Sequence, residues 1–166
     1  DVPSCNYLDL MANGAIEDPF EGTNEKDCLW VAERDWSWFR HFDVTEEDLK
    51  ADRAVLVCEQ LDTLATVLIN REAVAYADNC HIRHEFDAKK FLKPGRNQIE
   101  IIISSPVNYI TEQRKLFRTP ANPNGIDGID RIRKPQCHFG WDWGPVLPPS
   151  GITGNIYIDF RRGAEI

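Results

Sequence analysis

Apolar and polar residues alternate along this chain in short runs whose period is predominantly two, the repeat of a strand with one buried face. Trp38–Val44 (W-F-R-H-F-D-V) alternates in this way. Ala54–Leu61 opens apolar and β-branched, and Thr63–Asn70 is a second such run. Val74–Ala77 and His84–Asp87 read as shorter strands. Asn97–Ser104 is the strongest, with Ile99, Ile101 and Ile103 on one face, and Gly154–Phe160 places Ile156 and Ile158 together. Turn chemistry separates these runs. In Lys93-Pro94-Gly95-Arg96, proline presets φ at the second turn position and glycine supplies a positive φ at the third. Thr45-Glu46-Glu47-Asp48 pairs an N-cap with an acidic residue three positions on, enough for one helical turn. Helical patterning is confined to Ser4–Asn13, with Leu8, Leu10 and Met11 partly buried, and to Pro106–Phe117. Residues 118–135 are dense in Pro, Gly, Asn and Asp and read as a long loop, a length that is usually functional or disordered. Many short strands with one or two short helices predict an all-β domain, a β-sandwich or jelly roll.

Composition narrows the role. The chain has 166 residues, a net charge of −8, 42% hydrophobic and 28% charged residues. That is one domain with room for a real core, and too little for a (β/α)8 barrel of about 250 residues. The acidic balance argues against a nucleic-acid partner, which needs clustered Lys and Arg. No apolar run is long enough to cross a membrane, and no basic n-region or apolar h-region opens the chain, so no signal peptide is expected. Cys5, Cys28, Cys58, Cys80 and Cys137 are odd in number, spread out and without a CxxC pair, and no Asn-x-Ser/Thr sequon is present. Reduced thiols and a cytoplasmic rather than secreted location are expected. Cys80-His81 with His84 and Cys137-His138 could form a zinc site only by converging, and neither pair has a finger spacing. They read as a buried thiol and polar loop histidines, so neither metal nor cofactor is expected.

The most distinctive segment is Lys134–Pro149, K-P-Q-C-H-F-G-W-D-W-G-P-V-L-P-P. A carboxylate between two indoles suits a sugar. Indole faces pack on the C–H patches of a pyranose while a fixed carboxylate accepts hydrogen bonds from neighbouring hydroxyls. An equally weighted alternative makes Trp141 and Trp143 corner-packing residues and Asp142 a cap for local backbone amides. Among other acidic positions, Glu46-Glu47-Asp48, Asp127 and Asp130 read as solvated faces or turn residues.

H-F-G-W-D-W-G-P, together with D-T-L-A-T-V-L-I-N (Asp62–Asn70), A-D-N-C-H-I-R-H-E-F-D (Ala77–Asp87) and F-L-K-P-G-R-N (Phe91–Asn97), resembles the N-terminal domain of β-mannosidases. These belong to glycoside hydrolase family 2, with the β-galactosidases and β-glucuronidases. V-P-S-C-N-Y-L-D-L, D-P-F-E-G-T-N-E and the pair Trp36 and Trp38 fit the same order, so the resemblance covers about residues 2–160. It departs at Asn70-Arg71, where the family has a tight Asn-Gly turn; Arg71 accepts a positive φ poorly, so a two-residue hairpin is not expected there. Cys80 stands where methionine is common. The family also has a strand before the V-P-S-C segment, so the first strand is expected to be missing.

The resemblance implies a jelly-roll sandwich of the galactose-binding-like type spanning residues 1–166 as a single domain. The catalytic carboxyl groups of such retaining enzymes, about 5–5.5 Å apart, would lie on a later (β/α)8 barrel absent from this chain. It further implies that Asp142, with Trp141 beside it, reaches the barrel's sugar pocket, with Asn24 a further candidate. Asn24-Glu25 looks like the Asn-Glu of the catalytic barrels but sits in an all-polar loop, and it reads as a coincidence. The expected function is thus that of a non-catalytic fragment of a retaining β-mannosidase acting on terminal β-linked mannose of oligosaccharides. Two alternatives stand beside it: a free-standing carbohydrate-binding module, and a structural domain of an enzyme with another sugar specificity.

Overall fold

The computed structural model describes residues 2–117 and 120–163; Arg118 and Thr119, which open the expected 118–135 loop, lie outside it. In chain order the strands are β1 (Ser4–Cys5), β2 (Trp36–Val44), β3 (Arg53–Cys58), β4 (Leu61–Asp62), β5 (Ala65–Ile69), β6 (Glu72–Ala77), β7 (His84–Asp87), β8 (Gly95–Ile103), β9 (Phe139–Trp141), β10 (Gly144–Val146), β11 (Gly151–Ile152) and β12 (Ile156–Arg161). Three short α-helices interrupt them: α1 (Asn6–Ala12), α2 (Asn24–Asp27) and α3 (Pro106–Leu116).

Two antiparallel sheets face each other, one ordered β2-β8-β5-β6 and the other β12-β3-β7. Their inner faces make one core, in which Leu56 and Cys58 of β3 and Ile156 and Ile158 of β12 meet Val67, Ile69, Ile101 and Ile103. The alternation read from Asn97–Ser104 is this inner face: Ile101 and Ile103 are fully buried and Ile99 packs at the edge. A small sheet, β1-β11-β4, closes one end, adding Leu61 and Ile152 to the core. This is the galactose-binding-like sandwich expected.

Local signals act where they were read. Gly95 has φ +81, and the buried Asn97 closes its turn, its amide donating at 2.8 Å to the Lys93 and Gly95 carbonyls. Thr45 and Asp48 cap each other reciprocally: Asp48 N–H donates to Thr45 Oγ1 at 3.0 Å and Thr45 N–H to Asp48 Oδ2 at 2.9 Å. The turn that follows, Asp48–Lys50, is a 3-10 helix. Ser105 caps α3 by accepting from Asn108 N–H at 3.0 Å, with Pro106 in the first turn.

Three readings need correction. Ala54–Leu61 is broken after Cys58, because β4 leaves β3's sheet to pair with β11. Leu8 is exposed, since the buried side of α1 holds Asn6 and Tyr7. The two-residue hairpin does form at Asn70-Arg71: Ile69 pairs with Glu72, and Asn70 and Arg71 take φ of +52° and +71°. Asn70 imposes this turn. Its side-chain amide donates at 2.8 Å to Phe91 O and to Asn97 Oδ1, and its Oδ1 accepts from Gln98 N–H at 3.1 Å. With Asn70 held by neighbouring segments, Arg71 has to complete the turn despite its side chain.

Candidate functional site

The W-D-W-G segment forms a tight hairpin. β9 and β10 pair with Trp141 opposite Gly144, which leaves Asp142 and Trp143 as its two-residue tip. The hairpin is anchored by Phe139, fully buried among Leu64, Ile110 and Ile132. Behind it runs the described part of the long loop. Ile126 N–H donates to Phe139 O at 2.9 Å, and the backbones at Gly125 and Gly140 touch. A Cβ on Gly125 would lie 1.9 Å from Phe139 O, and one on Gly140, where φ is +102°, would lie 2.5 Å from Asn124 O. Only two glycines allow that approach. The loop is itself braced: Asn122 N–H donates to Asp127 Oδ1 at 2.6 Å, and Arg114 of α3 pairs with Asp127 at 2.8 Å. The 118–135 loop, as far as it is described, is a buttress.

Asp142 is exposed, and no hydrogen bond or ion pair engages its carboxylate among the described residues. It caps no backbone amide, and Trp143, 73% exposed, packs into no corner. Trp141 and Trp143 line an open groove of about 480 Å³ with Phe20, Glu25, Asn124 and Pro145. Phe20 is presented by an Asx turn, its N–H donating to Asp18 Oδ1 at 2.9 Å. Asn24, in α2, is used locally: its amide donates to Asp18 O at 3.0 Å, and it lines a smaller recess of about 190 Å³ with Asp27 and Trp30. The structure thus joins Trp141 to Phe20 and Glu25 and leaves Asn24 one step away. Phe20 and Asn124 were missed from the sequence; the one available signal was a lone phenylalanine in the polar loop Asp18-Pro19-Phe20-Glu21-Gly22.

Trp36 and Trp38 have internal duties. Trp38 Nε1 donates to Asp9 Oδ2 at 2.9 Å and Trp36 Nε1 to Val31 O at 2.8 Å.

Beneath the hairpin lies a buried charge cluster. Lys134, whose side chain is fully buried, donates to Asp62 Oδ2 and, at 2.7 Å, to Pro149 O. Thr63 Oγ1 donates to the other Asp62 oxygen. Burial pulls the Lys134 pKa down, and the adjacent Asp62 carboxylate opposes that pull. His138 Nδ1 stands 3.9 Å from Asp62 without a hydrogen bond; burial and then Lys134 hold the imidazole below its ordinary pKa. Cys80 is pushed up to about 11 by burial, reinforced by Asp62, which makes it a poor nucleophile. Among the described residues, no three of the His, Cys, Asp and Glu side chains gather as metal ligands would. Nor is any described helix long and apolar enough to cross a membrane.

Residues 1–154 match the family model of the glycosyl hydrolase 2 galactose-binding domain-like fold. The chain belongs to that family. The most similar relatives of this galactose-binding-like domain include a beta-mannosidase of Capra hircus, 34% identical over 95% of the chain, and a probable beta-mannosidase of Caenorhabditis elegans, 35% identical over 98%. Among solved structures, the beta-D-mannosidase of Dictyoglomus thermophilum superposes with a TM-score of 0.93 over 98% of the domain, at 36% identity. The domain spans 19% of the length of those two curated relatives and 20% of the solved chain.

Proposed function

We propose that this chain is the N-terminal domain of a retaining β-mannosidase and lends the Trp141-Asp142-Trp143 tip to the sugar pocket of a catalytic (β/α)8 barrel carried by the same protein. The observation that carries this reading is the tip itself: a carboxylate held out on a braced hairpin between two exposed indoles, with no partner among the described residues. A charged group in that state is available to accept hydrogen bonds from sugar hydroxyls, and the indoles offer stacking faces. Kinship with beta-mannosidases on both sequence and structure supports mannose as the sugar. Asp142 is the binding residue, Trp141 shapes the wall, and Asn24 acts at one remove by fixing the turn that presents Phe20 and Glu25. The domain supplies neither the nucleophile nor the acid/base, since Glu25 stands on a short helix in a polar loop, so the chain alone does not hydrolyse mannosides.

The test is Asp142→Ala in the full-length protein, with an aryl β-mannoside as substrate. Losing a desolvated, charged hydrogen bond costs about 2–5 kcal/mol, so kcat/KM should fall by roughly thirtyfold to several thousandfold. The melting temperature should not move, because Asp142 bonds to nothing among the described residues. Unchanged kinetics would sink this assignment. Saturable mannoside binding by the isolated 166-residue chain, with no larger natural product, would instead establish the free-standing binding module.

A further inference from the structure

A lysine whose side chain is entirely out of water is rare unless something specific requires it. A buried ion pair is also seldom the cheapest way to fill space, because apolar residues of equal volume often serve as well or better. Lys134 and Asp62 form such a pair. Their place in the chain points to another role. Lys134 lies seven residues before Trp141, and the carbonyl it also holds, Pro149, lies six residues after Trp143. One ammonium therefore joins the two ends of the segment that carries the exposed tip. The third partner, Asp62, is fixed in β4, where it pairs with Gly151 of β11, so the segment is tied to the sheet as well as to itself.

We propose that Lys134 is a positioning residue: held by Asp62 and the Pro149 carbonyl, it locks the base of the hairpin so that Trp141, Asp142 and Trp143 stand at one fixed height and angle. An apolar pair could fill the same volume, but it could not specify which carbonyl the base must meet. The clamp follows from geometry alone; its bearing on catalysis rests on the mannoside reading above, and the experiment separates the two.

The experiment compares wild type, Lys134→Met and the double variant D62L/K134M in the full-length protein by amide hydrogen exchange and by kinetics on an aryl β-mannoside. The single variant leaves a buried carboxylate unpaired and is expected to lose stability as a whole. The double variant removes both charges at similar volume. It should keep wild-type protection in β5 and β8, while the amides of residues 136–148 exchange at least about tenfold faster. Protection of 136–148 at the wild-type level would overturn the clamp. So would exchange rising equally in every strand, or failure of the double variant to fold, since the pair would then be a general support. If exchange is local and kcat/KM drops tenfold or more, both readings hold. Local loosening with unchanged kinetics keeps the clamp and removes the tip from the sugar pocket.

Discussion

The turn at Asn70-Arg71 gives a quantitative test of the backbone argument. Arg71 sits at φ +71° with its side chain exposed, and it makes no hydrogen bond or ion pair among the described residues. Replacing it by glycine therefore removes strain without removing a contact. The left-handed region costs a residue with a Cβ about 1–2 kcal/mol. Glycine recovers that, but it loses about 0.5–1 kcal/mol through the greater freedom of the unfolded chain. The net expectation is a stabilisation of about 0.5–1 kcal/mol. With an unfolding entropy near 2.1 cal/mol/K per residue, a domain of this length gains about 3 °C in Tm per kcal/mol. Arg71→Gly should accordingly raise Tm by roughly 1–3 °C in a calorimetric scan of the chain. Arg71→Ala keeps the Cβ and should give no gain. A gain equal in both variants would show that charge or side-chain bulk mattered, and a loss in Arg71→Gly would show that φ was not strained. Either result refutes the reasoning.

Two further outcomes follow from the site. Gly125→Ala places a Cβ 1.9 Å from Phe139 O, so the buttress must separate from the hairpin; a loss of about 1–3 kcal/mol in urea unfolding is expected, and wild-type stability would show that the two backbones need not touch. His138 has a depressed folded pKa, so the unfolded chain binds more protons as pH falls through the ordinary histidine value of 6.5. Stability contributed by the neutral imidazole is present above that value and is lost on acidification below it. Tm measured from pH 7.5 to 5 should fall, and His138→Gln should flatten that fall; an unaltered slope would assign the acid sensitivity elsewhere.

The elements that were legible carry their signal locally. β8 shows because Ile99, Ile101 and Ile103 share a face within five residues, and the turn before it shows because proline and glycine stand next to each other. β9 and β10 were not legible: each has three residues, and Gly140, Gly144 and Pro145 erase any alternation. The break after Cys58 was hidden because an unbroken apolar run looks the same whether it crosses one sheet or two. For the candidate site, Trp141 and Asp142 were found by their composition. Phe20 comes to Trp141 only through the fold, from more than a hundred residues away, and the one local signal, a lone phenylalanine in a polar loop, does not say which residue it meets. Lys134 was the least expected, since lysine ordinarily reads as surface and its partner Asp62 is 72 residues distant.

The order β12-β3-β7 also bears on how the chain is made. β3 is the middle strand of its sheet, but β12, which pairs with it from Arg53 to Cys58, is synthesised roughly one hundred residues later. At about 5–20 residues per second, a ribosome leaves that flank of β3 without its partner for something like 5–20 s. Throughout that time A-V-L-V-C presents an open edge with high strand propensity, the type of segment that associates between nascent chains. Arg53 and Glu59, at either end of it, place opposite charges at the borders of the run. The exposed interval falls during translation, so chaperone demand for this domain should be set by elongation rate more than by the stability of the finished sandwich.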